Sequence, residues 1–154
     1  MLMKVYLLIR LRGRMGISPE TIDTLNRLNV PAKNNASIVT DSPSIMGMVT
    51  KVADYVTWGE IDKGALAAVL EKRGRLPGDA RLTVEEIKKI GFDSFEALAE
   101  KILKEGKIPD PIKKTFRLTP PSGGFKKHIT RHIKSGGELG YRGAAIAELV
   151  AKMI

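Results

Sequence analysis

The sequence contains no cysteine and no glutamine. Without cysteine there are no disulfides, no zinc ribbon and no thiol chemistry. A reducing, cytoplasmic compartment is therefore expected. The two absences, together with abundant Lys and Glu, fit adaptation to heat. Long apolar runs are missing as well. The N-terminal run at residues 5–9 is too short for a signal-peptide core or a membrane span, and Arg10, Arg12 and Arg14 follow it at once. No membrane partner is expected. There is no internal repeat and no low-complexity tract, and residues 107–154 hold only three acidic side chains.

What is present is enough for one small folded protein. Of 154 residues, 43% are hydrophobic, which supplies a core and excludes wholesale disorder. Lys and Arg number 26 against 17 Asp and Glu, a net charge of +9 that favours polyanionic partners. The charge is uneven. Residues 1–60 hold seven basic and five acidic residues, residues 61–106 nine of each, and residues 107–154 ten basic and three acidic. The footprint for a polyanion therefore lies mainly in the last third, with a smaller cluster after the first strand.

Hydrophobic periodicity predicts an α+β chain. Residues 4–11 read as a buried strand, followed by a basic, glycine-bearing loop. Ser18-Pro19 opens a helix to about residue 28, with a hydroxyl at the N-cap and proline in the first turn. Residues 36–40 are a β-branched strand. Asp41-Ser42-Pro43 repeats the helix start, and Ile45, Met48, Val49 and Val52 form the apolar stripe behind it. Residues 55–61 are a third strand carrying Trp58. Short connections between these elements predict a sheet with helices on one face. Residues 62–106 read as an all-helical insert whose capping signals include Thr83, Ser94, Gly91 and Gly106. Residues 107–154 read as an extended basic segment, broken by prolines and glycine pairs, that ends in a helix at about 143–153.

The best functional signal is the run from 113 to 134. It carries Lys113, Lys114 and Arg117, then Gly123, Gly124, Phe125, Lys126, Lys127 and His128, then Arg131, His132 and Lys134. Prolines stiffen such a segment and glycines let it approach another backbone. Lys and Arg neutralise phosphates, and Phe125 is a candidate for stacking on RNA. Lys33 and Arg142 are further candidate contacts. Arg10, Arg12 and Arg14 alternate at period two, which would place them on one face against a phosphate backbone. A solvated basic surface is the plain alternative for each cluster.

Catalytic and metal chemistry have little support. His128 and His132 are spaced i, i+4 like half a metal site, but no acid lies near them in sequence and there is no cysteine. Residues 122–126 lack the strand–Gly-x-x-x-x-Gly-Lys–helix pattern of a nucleotide loop. No Ser/His/Asp set stands out, so no enzyme, cofactor, metal or small-molecule substrate is expected. The helices at 83–105 have the spacing of a helix-turn-helix, but their balanced charge reads as a salt-bridged solvent face.

The residues Arg12-Gly13-Arg14-Met15-Gly16-Ile17, Asn34-Asn35 and Asp41-Ser42-Pro43-Ser44-Ile45-Met46-Gly47-Met48-Val49 carry a resemblance. So do Phe116-Arg117-Leu118, the run from Pro120 to Lys126 and the run from Gly136 to Gly143. Together they resemble the ribosomal protein L-thirty family of the large subunit in its longer archaeal form, whose eukaryotic counterpart is called L-seven. The resemblance covers essentially the whole chain and is weakest across the helical insert. It implies a ferredoxin-like β-α-β-α-β core and a non-enzymatic role in the ribosome. The implied partners are large-subunit ribosomal RNA, on the side near 5S RNA, and neighbouring ribosomal proteins. Many bacterial members carry arginine where this chain has Met46, so Met46 is not among the expected contacts. The expected division is a core at 1–61, the insert at 62–106 and the basic segment at 107–154. A small-ligand regulatory domain and a DNA-binding protein using the 83–105 helices are the competing readings, because a ferredoxin-like fold alone does not decide function.

Overall fold

The computed structural model describes residues 4–13, 16–109, 112–125 and 127–154. Strand β1 (Val5–Arg10) is followed by helix α1 (Pro19–Arg27), β2 (Asn35–Thr40), α2 (Pro43–Lys51) and β3 (Val56–Glu60). This is the ferredoxin-like core. β1 is central and antiparallel to both neighbours, with Leu8 opposite Ser37 on one side and Trp58 on the other. The predicted caps form. Ser18 Oγ accepts from the Thr21 N–H at 3.3 Å, and Ser42 Oγ accepts from the Ile45 N–H at 3.4 Å. Asn34 turns the chain into β2 with φ +67°, a conformation that Asn tolerates, and its N–H donates to the Arg10 carbonyl at 2.8 Å.

The helical segment comprises α3 (Lys63–Arg73), α4 (Val84–Ile90) and α5 (Phe95–Glu105), and the last helix is α6 (Ile146–Met153). Both faces of the sheet are covered, not one. Tyr6 and Leu8 pack with Leu25, Leu28, Val49 and Val52 beneath α1 and α2. Leu7 and Ile9 point the other way, into a cluster with Leu66, Leu70, Ile102 and Ile146. Successive strand side chains alternate between faces, so a strand buried on both sides reads as an unbroken apolar run. Residues 62–106 therefore supply the second helical layer of the same core.

The C-terminal segment adds three short strands ahead of the last helix. β4 (Phe116–Arg117), β5 (His128–His132) and β6 (Gly137–Tyr141) complete a six-stranded sheet in the order β4-β2-β1-β3-β6-β5. β4 pairs antiparallel with β2, and β6 runs parallel to β3 with Trp58 opposite Tyr141. Gly140 has φ +97°, which few residues other than glycine adopt. The turn it makes reverses the alternation. Leu139 is buried on the α3–α6 side, whereas Tyr141 meets Tyr6 edge-on on the opposite face.

Candidate nucleic-acid interface

The arginines after β1 do not share one exposed face. Arg10 is completely buried. Its Nε donates to the Arg12 carbonyl at 2.8 Å and its Nη1 to the Val30 carbonyl at 3.2 Å. A buried guanidinium engaged with backbone carbonyls organises the loop, at a position where the sequence reading expects an RNA contact. Arg12 is half-buried. Its Nη1 donates to the Asp54 carbonyl at 3.2 Å, and its guanidinium lies 5.0 Å from the centre of the Tyr55 ring, within cation–π range. Alternation ends because the ladder ends: the N–H groups of Leu11 and Arg12 both donate to the Tyr55 carbonyl. Arg14 lies outside the described residues.

In the C-terminal segment the candidates separate into exposed and internal groups. Lys127, His128, Arg131, His132 and Lys134 are exposed on and around β5, at the outer edge of the sheet. Lys126 lies outside the described residues. Phe125 is half-buried and packs on the apolar cluster, so it is a strut for the loop and not a free stacking surface. Gly123 and Gly124 have φ of +82° and +76°, and a Cβ on either would meet nothing within 4 Å. Their need for glycine is conformational within this chain. His132 has an acid beside it after all, brought by the fold: its Nε2 lies 2.8 Å from Asp54 Oδ1.

Arg142 is internal. Its Nη2 donates to Glu138 Oε2 at 2.7 Å and its Nε to Thr57 Oγ1 at 2.8 Å, and both members of the ion pair are only 10% exposed. The second Glu138 oxygen accepts from the Lys127 N–H at 3.0 Å. Arg142, another position where the sequence reading expects an RNA contact, thus has its guanidinium engaged in an internal network.

Lys33, Lys113 and Arg117, which are far apart in sequence, line one groove of about 540 Å³. Arg75, from the loop after α3, lines it too. Arg75 was not among the sequence candidates, because the balanced charge of residues 61–106 averages it away. The turn residues Pro77-Gly78 beside it were the available signal; Arg75 lies on the arm of that turn, half-buried, with its Nη1 donating to the Gly74 carbonyl at 3.1 Å. Lys114 is exposed beside a neighbouring cleft shared with Lys107.

A sheet sandwiched between two helical layers, with exposed cations on its loops and outer strand, defines a basic α+β protein. Among the described residues no helix is long and apolar enough to cross a membrane. The family model described as Ribosomal protein L30p/L7e matches residues 6–56. A Large ribosomal subunit protein uL30 from Nanoarchaeum equitans is 48% identical over 156 residues, covering 99% of this chain and all of that protein. The proteins of the same name from Thermofilum pendens and Ignicoccus hospitalis are 48% and 47% identical, again over nearly the full length of both chains. The chain belongs to the ribosomal protein L30p/L7e family, whose members are structural and not enzymatic.

Proposed function

We propose that this chain is a structural constituent of the large ribosomal subunit in the cytoplasm, and that it binds ribosomal RNA through its basic loops and stabilises the fold of that RNA. The observation that carries this reading is the end-to-end match to proteins named for the large ribosomal subunit. The placement of charge supports it. The exposed cations at Lys127, Arg131 and Lys134 project from a sheet edge, and Lys33, Arg117 and the half-buried Lys113 line a groove. In this reading residues 1–61 and 107–154 supply most of the contacts, while residues 62–106 form the layer that closes the core. The neighbours are ribosomal proteins, and the position is on the side near 5S RNA.

The test is association with ribosomal particles. The protein should sediment with the large subunit at low salt and be released at high salt. With deproteinised large-subunit RNA, the logarithm of affinity should fall linearly with the logarithm of salt concentration, because each neutralised phosphate releases counterions. A flat salt dependence would rule the reading out. Chemical footprinting with and without 5S RNA tests the placement.

A further inference from the structure

The groove between β2, β4 and the loop after α3 is lined by four cations and holds one internal carboxylate. Residues 74–82 form a small hairpin: the Leu82 N–H donates to the Gly74 carbonyl at 3.1 Å, and the Leu76 N–H to the Ala80 carbonyl at 2.8 Å. The Asp79 N–H donates to the Leu76 carbonyl at 3.0 Å and closes a turn centred on Pro77 and Gly78, in which Gly78 supplies the positive φ of the second central position, and Asp79 follows with φ +63°. The hairpin is tied down from below, since the Lys113 N–H donates to the Arg75 carbonyl at 2.9 Å. This frame holds the Asp79 carboxylate over the groove, with Oδ1 3.8 Å from Lys113 Nζ and Oδ2 3.9 Å from Arg117 Nη1.

Both contacts are at the long limit for an ion pair, and Asp79 is 54% exposed. Pairs of this kind hold weakly in water. Lys33, Arg75, Lys113 and Arg117 line the groove against this one carboxylate, an excess of positive charge that Asp79 does not neutralise. The positions come from three separate stretches of chain, so a ligand in the groove would grip the insert and the core together.

We propose that this groove binds the phosphate backbone of RNA, and that Asp79 is a built-in competitor which the phosphates displace from Lys113 and Arg117. The inference rests on the RNA-binding reading above and adds to it a contact from the helical insert and a residue that weakens binding. Removing the competitor should tighten binding. Removing Arg75 should weaken it and lower its salt dependence.

Asp79→Asn is the informative variant, because Asn tolerates the left-handed backbone that Asp79 adopts. Glu85→Gln, at an exposed position on α4, changes net charge equally and serves as the control. Binding of deproteinised large-subunit RNA would be measured by filter retention across a salt series, with circular dichroism melts to confirm folding. Asp79→Asn should bind about threefold more tightly at low salt, the size of effect expected for an exposed ion pair. Glu85→Gln should change affinity less. Arg75→Gln and Lys113→Gln should each bind more weakly and lower the log–log slope by roughly 0.7–0.9. Tightening by Asp79→Asn no greater than by Glu85→Gln, or unchanged slopes in both cation variants, would overturn the proposal. If those results came with steep, salt-dependent binding by the wild-type protein, the groove alone would be rejected. Absence of wild-type binding would instead reject the RNA reading beneath it.

Discussion

Glu138 and Arg142 form an ion pair at 2.7 Å where β6 gives way to the last helix, and both side chains are nearly enclosed. The pair is a junction. Through Thr57 it reaches β3, and through the Lys127 N–H it holds the exit of the basic loop.

Breaking that junction from one side leaves a charge without its partner. Glu138→Ala should lower stability by about 3–5 kcal/mol, the usual cost of orphaning a buried charge. Urea denaturation would measure it. A loss under about 1 kcal/mol, the range of exposed pairs, would show that the site is wetter than its geometry implies.

Residues 62–106 are expected to be indispensable for folding. Leu66, Val69, Leu70, Leu98 and Ile102 share one apolar cluster with Leu7 and Ile9 of the central strand. Leu70→Ala should cost about 2–5 kcal/mol by transfer and cavity terms. Replacement of 62–106 by a short linker should abolish cooperative unfolding, seen as a lost sigmoidal melt. A sharp two-state transition in the deletion would show that residues 1–61 and 107–154 fold without the helical layer.

Gly124 is constrained by its backbone and not by crowding. Its φ of +76° disfavours a β-branched residue, while no neighbouring atom would touch a Cβ. Gly124→Val should destabilise by about 1–2 kcal/mol, whereas Gly124→Asn should be milder because Asn visits this region. Equal stability of the two variants in denaturant melts would contradict the assigned conformation.

Tyr141 should titrate above the ordinary tyrosine value of 10.0, because its hydroxyl donates to Glu60 Oε1 at 3.0 Å, with smaller effects from burial and from the Glu60 charge. Folding therefore favours the protonated phenol. That contribution to stability is complete below about pH 10, the unfolded value, and is lost as pH rises through the folded one. Ultraviolet difference titration against Tyr141→Phe would isolate the group. Glu60→Ala should bring its midpoint down, and an unmoved midpoint would exclude the hydrogen bond as the cause.

The local elements were legible in the sequence because their causes are local. Ser18-Pro19 and Ser42-Pro43 start α1 and α2 by chemistry carried within four residues, and Gly91 and Gly106 end α4 and α5 by adopting left-handed backbone. The apolar run of β1 marked the central strand, and the excess charge of residues 107–154 marked a basic surface. Tertiary structure decided which cations belong to that surface. Arg10 and Arg142 look like their neighbours in sequence, yet one is buried against backbone carbonyls and the other against Glu138. It also decided that the glycine-bearing stretch Gly137–Tyr141 becomes a strand, because its partner, Thr57, lies more than eighty residues away. Only the folded chain brings Arg75 beside Lys33, Lys113 and Arg117. Spacing along a chain constrains caps and periodicity, which act over one or two turns, whereas burial and charge clustering depend on contacts between segments that sequence order leaves far apart.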